Sequence, residues 1–116
     1  MHILQTTQLT EAISDHVWRT RYCWTEPDRV PEASIEATFD RVALAVSNAE
    51  PHHHDDWRER FRAVLSDFRF LPGGRILTGA GTAHRVTLLN CFVAGMMEDS
   101  IQGIFNALRE AILTLQ

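Results

Sequence analysis

Cys91 is the residue of this chain best suited to chemistry. It lies in an apolar run, Val86 to Val93, that reads as extended around the thiol. A glycine-rich turn at Pro72-Gly73-Gly74 and a small-residue loop at Gly79-Ala80-Gly81-Thr82 precede it. A thiol on a rigid element can serve as nucleophile, redox partner or metal ligand. Glycines beside it let a ligand approach backbone amides. On local grounds alone, Leu89 and Phe92 favour the blander reading, a cysteine that packs as a small hydrophobe. The glycine loops likewise read as plain turns, because the lysine and the spacing of a phosphate-binding loop are absent. The nearest upstream histidine, His84, can reach Cys91 only through the fold.

The remaining candidates are weaker. Cys23, between Tyr22 and Trp24, reads as a packed thiol. Two cysteines so far apart are not a disulfide scaffold, and they fit a reducing cytoplasm. His52-His53-His54-Asp55-Asp56 resembles a metal site at first sight. Adjacent histidines on a loop rarely converge on one ion, so a solvated loop running into a helix cap is the better reading. Met96 and Met97 read as core fillers. Arg109 and Glu110 read as a solvated helix face.

These residues need elements to position them. The chain has 116 residues, 45% hydrophobic and 22% charged, an ordinary composition for one domain or part of one. A net charge of −4 and the lack of a basic, aromatic-interleaved stretch argue against nucleic acid as a main partner. No apolar run is long enough to span a bilayer, and the N-terminus lacks the features of a secretory signal.

Periodicity predicts four helices. The first runs from about Leu9 to Tyr22, with Thr10 or Thr7 as cap. The second runs from about Ser34 to Asn48, with Ile35, Phe39, Val42, Ala43 and Val46 on one stripe facing a core. The third begins near Asp56, which has capping-box spacing to Glu59, and carries Trp57, Phe61, Val64, Leu65 and Phe68. The fourth follows Asp99 and Gln102, again at capping-box spacing, and carries Ile101, Ile104, Phe105, Leu108, Ile112 and Leu115. Thr25 to Pro31 should be a loop, and Ile76-Leu77 should open a short strand. The last helix has no stop signal, so its stripe suggests a chain cut short.

Residues Phe68 to Gln116 resemble ribonucleotide reductase large chains, class II (adenosylcobalamin-dependent) above all. The resemblance rests on FLPGGRILTGAGT (Phe70 to Thr82), NCFV (Asn90 to Val93) and EDSIQGIFNAL (Glu98 to Leu108), in order and at compatible spacing. WRTRY (Trp18 to Tyr22) and the Ile35 to Val46 helix resemble the family's N-terminal helical region more loosely.

The resemblance implies a mostly α fold with a few short strands. Residues 1–70 would be an N-terminal helical region. Residues 71–116 would hold the first strand and helix of a ten-stranded α/β barrel, incomplete here. It implies reduction of ribonucleotides to deoxyribonucleotides for DNA synthesis by thiyl-radical chemistry, with Cys91 as one member of the reducing cysteine pair. Asn90 and Gly74 fall at substrate-contact positions; many relatives carry serine or threonine at the latter, where glycine offers only backbone. The implied cofactor, adenosylcobalamin, belongs to the complete enzyme. The implied partners are the ribonucleotide, the rest of the reductase or a separate subunit, and a thioredoxin-type reductant.

The radical cysteine and the second reducing cysteine have no match here, so the chain alone is expected not to turn over. Its last helix is expected to self-associate. The alternative is a small helical interaction module that pairs with a separately encoded remainder.

Overall fold

The computed structural model describes residues 11–27 and 30–115. The helices are α1 (Ala12–Arg21), α2 (Ile35–Ser47), α3 (His54–Leu65), α4 (Gly74–Gly79) and α5 (Ile101–Leu115), with a 3-10 turn at Ser66–Phe68 after α3.

α2 is the central element. Its boundaries and its stripe follow the periodicity: Ile35, Phe39, Val42 and Ala43 are buried, and only Val46 of the predicted set stays partly exposed. Phe39 is fully buried and meets Phe68 edge-on, with ring centroids 5.7 Å apart. Trp18 of α1, Leu65 at the end of α3, and Leu77 and Ala80 in and after α4 complete the core. The packed cluster therefore runs from α1 through α4.

A polar chain threads this core. The Trp18 indole N–H donates to Thr38 Oγ1 at 2.9 Å, and the Thr38 hydroxyl donates to Glu32 Oε2 at 2.6 Å. Arg41 Nε donates to Glu32 Oε1 at 2.7 Å. The other guanidinium nitrogens reach the Ala80 and Leu77 carbonyl oxygens at 2.5 and 2.9 Å. Burial alone would push the Glu32 carboxyl up. Hydrogen bonds from Arg41, Thr38 and the Trp24 N–H outweigh it and hold the group below its ordinary value. Among the described residues no buried side-chain nitrogen or oxygen lacks a partner. On the opposite side of α2, Arg62 of α3 pairs with Glu36 and Asp40, and burial pushes its guanidinium down.

Several expectations change. The described residues contain no β-strand, so the few short strands of the expected fold are absent. Ile76 and Leu77 lie inside α4, where helical geometry turns Leu77 into the core against α2. A two-residue apolar run cannot distinguish the two states, and tertiary burial decides. Residues 85–98 are irregular and mostly exposed. Cys91 therefore does not lie on a strand, because no segment among the described residues supplies the ladder a strand requires.

The helix starts shift as well. Glu11 occupies the N-cap of α1, while Leu9, Thr7 and Thr10 lie outside the described residues. α3 starts two residues before Asp56, with His53 as a left-handed N-cap, so Asp55 and Asp56 sit in its first turn, where acidic groups favour the dipole. Ser100, rather than Asp99, caps α5: its Oγ accepts the Gly103 N–H at 3.0 Å.

Candidate functional site

The segment from Pro72 to Cys91 is built on α4. Gly73 is the N-cap of this helix and Ala80 follows its last residue. The two carbonyls that Arg41 engages, Leu77 and Ala80, lie at the C-terminal end of α4, where helical carbonyls lack backbone partners. Arg41 thus ties the turn to the middle of α2. Gly81 follows with φ +74°, and a side chain there would press on the Arg41 backbone oxygen at 3.1 Å. Only glycine suits that position, for conformation and for space.

Three residues were singled out in the sequence, and the structure joins two regions of them. Asn90 folds back onto the glycine turn: its Oδ1 accepts the Arg75 N–H at 3.4 Å, a long contact. Its side chain also lies where a Cβ on Gly73 would stand, with Nδ2 2.8 Å away. Cys91 follows directly, exposed and unpaired with any other thiol. Gly74 faces the other way. It lines a cavity of about 530 Å3 with Tyr22, Trp18, Val17, Ile35, Phe68 and Leu71. The Tyr22 ring and hydroxyl approach Gly74 at 3.6 Å, measured to the position a Cβ would take. Among the described residues the cavity lining carries no charged side chain, and neither Asn90 nor Cys91 contributes to it.

Cys23 is half-buried, with its sulfur 3.6 Å from the Glu32 carbonyl oxygen, and burial pushes its thiol up. It is a packed thiol poorly suited to act as a thiolate. The histidine run divides. His53 is the left-handed cap, and His54 Nε2 lies 2.8 Å from Asn48 Oδ1 and 3.1 Å from Ser47 Oγ, closing the turn between α2 and α3. Among the described residues no group of three or more histidine, cysteine or acidic side chains could hold a metal ion. Met96 and Met97 are exposed rather than core. No helix among the described residues is long and apolar enough to cross a membrane.

Sequence reasoning named the Gly73-Gly74 turn but missed Tyr22. The doubled glycine at 73 and 74 was the available signal, but it could not say that one glycine faces Asn90 and the other Tyr22.

Comparison with known proteins gives one family match and two concordant relatives. The profile of the family described as ribonucleotide reductase, all-alpha domain, matches residues 9–85. The chain is also 35% identical over 99 residues to a protein named vitamin B12-dependent ribonucleoside-diphosphate reductase from Mycobacterium tuberculosis (strain CDC 1551 / Oshkosh). The same holds for the protein of that name from strain ATCC 25618 / H37Rv. The match covers 82% of this chain and 14% of the relatives' length. No solved structure matches at a significant level.

Proposed function

Since the chain belongs to the ribonucleotide reductase large-chain family, we propose that it forms the N-terminal helical part of a class II reductase that makes deoxyribonucleotides for DNA synthesis. The observation that carries this is the family match over residues 9–85, which runs directly into the segment bearing Asn90 and Cys91. The substrate would be a ribonucleoside diphosphate, following the name of the relatives. Two free thiols suit a cytoplasmic setting.

In this reading Cys91 is one of two reducing thiols. Loss of the ribose 2′-hydroxyl as water, with a C–H bond in its place, needs two electrons and two protons. Two thiols supply both and become a disulfide, which a thioredoxin-type reductant then reopens. The partner thiol and the radical cysteine would come from the remainder of the reductase, in the same chain or a separate subunit. Residues 71–116 would then lead into the barrel, and the segment around Cys91 would become a strand once a neighbouring strand pairs with it. Asn90 and Cys91 would contact the substrate, and Gly74, which turns to Tyr22 in this fold, would reach it through its backbone alone.

Adenosylcobalamin does not fit the residues described. Among the described residues the cavity beside Gly74 is lined by apolar side chains with Ser14 and the Tyr22 hydroxyl, too few polar groups to meet the amide-rich rim of a corrin. The cofactor therefore belongs to the remainder of the enzyme.

A chimera tests the reading. The segment should replace its aligned counterpart in the vitamin B12-dependent relative and support deoxynucleotide formation with ribonucleoside diphosphate, adenosylcobalamin and a dithiol. The 116-residue chain alone, given the same components, should form none. A silent chimera that is folded, or sustained product from the chain alone, overturns the proposal.

α5 supports a related expectation. Ile104, Phe105, Leu108, Ile112 and Leu115 are between 49% and 85% exposed, and Gly103 is its one buried residue. A stripe of this size calls for cover. In the complete reductase the remainder would supply it; in isolation the chain should self-associate through this face. Light scattering over a concentration series checks this, and a sharp monomer at high concentration counts against it.

A further inference from the structure

We propose that α4 is a positioning cradle, in which Gly73 and Gly79 receive the chain from Val86 to Asn90 and so fix where the Cys91 backbone stands. The proposal deepens the reading of Cys91 as a reducing thiol, and its functional meaning rests on that reading.

Residues 85–98 have no helix or ladder of their own to hold them. What holds the stretch before Cys91 is side-chain contact with the two ends of α4. At one end, a Cβ on Gly79 would stand 2.6 Å from Val86 Cγ2 and 3.3 Å from Leu88 Cδ2. At the other, a Cβ on Gly73 would stand 2.8 Å from Asn90 Nδ2 and 3.3 Å from both Cγ and Oδ1. The Arg75 N–H adds its bond to Asn90 Oδ1.

Conformation does not explain the glycine at 73. Its φ of −56° and ψ of 149° suit any residue. The Asn90 amide stands in the volume a side chain at 73 would take and, as the far end of an exposed side chain, would turn aside to admit one. The neighbouring glycines differ. A Cβ on Gly74 would meet Tyr22 at an ordinary 3.6 Å, and Gly95 has nothing within 4 Å. Gly73 is exposed, so a methyl group there displaces Asn90 without disturbing the core. Because Asn90 directly precedes Cys91, freeing its side chain removes the contact nearest the thiol, while Val86 and Leu88 stay on Gly79.

A nitroxide on Cys91 reads this directly. Cys23→Ser gives a background in which only Cys91 is labelled. Gly73→Ala should convert the spectrum from a mainly restricted to a mainly mobile component. Asn90→Ala should do the same, and the double variant should go no further than either alone. Gly95→Ala should leave the spectrum as it was. A spectrum unchanged by Gly73→Ala, or changed equally by Gly95→Ala, overturns the proposal. If the label responds as expected while the chimera is inactive, the functional reading fails and the cradle stands. The reverse pattern removes the cradle alone.

Discussion

In the reductase chimera, Cys91→Ser should bring repeated turnover down to the level seen without a dithiol, while leaving the stability of the helical domain unchanged within about 0.5 kcal/mol. The two halves of this expectation have separate causes. A hydroxyl cannot join a thiol in a disulfide, so the two-electron supply is lost rather than slowed. The thiol is exposed and packs against nothing in the core, so replacing sulfur by oxygen removes no buried contact. Deoxynucleotide formed per enzyme over time, set beside a urea titration, measures both. Turnover close to that of the parent would show that Cys91 is not a reducing thiol. A large fall in stability would show that the residue is structural after all. Cys23→Ser serves as the counterpart: it should leave turnover intact, since that sulfur is half-buried against the Glu32 carbonyl oxygen.

Arg41→Met should destabilise the chain by about 3–5 kcal/mol, the range for removing one partner of a buried ion pair. The pair's side chains are 8% and 10% exposed, so Glu32 would keep a charge without water to solvate it. The Leu77 and Ala80 carbonyls would lose their donor at the same time. Set against a typical total stability of about 5–15 kcal/mol, this is a large share. Denaturant unfolding followed by tryptophan fluorescence gives the value. Arg19→Met sets the scale: its pair with Asp15 is solvent-exposed and screened, so its loss should be small beside that of Arg41. Adding Glu32→Gln to Arg41→Met should restore part of the loss, because the stranded charge is then gone. Equal losses at Arg41 and Arg19 would refute the account. Acid acts on the same pair from its other partner. The Glu32 carboxyl is held below its ordinary value, so its contribution is complete above the unfolded value and fades as pH falls through the lowered one.

α2 was legible in the sequence almost to the residue. Its five apolar positions share one stripe, and Ser34 stands where a cap belongs. The presence of α1, α3 and α5 was legible too, but their starts were not. Glu11, His53 and Ser100 hold the N-terminal positions that Thr10, Asp56 and Asp99 promised, or lie beside them. Capping depends on backbone angles that side-chain types only bias. α4 was misread because six residues containing two glycines show no period. What makes them helical is long-range: Leu77 buried against α2 and Arg41 on the last carbonyls.

The candidate site was legible as a list of residues, not as an arrangement. Cys91, Asn90 and the glycine turn stood out by type. That Asn90 returns to Gly73 is a contact between distant positions in an irregular segment, where no periodicity announces it. The strand expected at Cys91 shows the same limit from the other side, since an apolar run becomes a strand only when a partner is present.

The hold of Arg41 on α4 has a consequence for insertions and deletions. Each residue added to a helix rotates everything beyond it by about 100°. One residue inserted between Ser34 and Arg41 would swing the guanidinium away from Glu32, Leu77 and Ala80 together. Glu32 is held by the same network, so the interval that cannot absorb a change in length runs from Glu32 through the first half of α2. Natural variants of this domain should therefore keep that interval constant while the neighbouring loops grow and shrink.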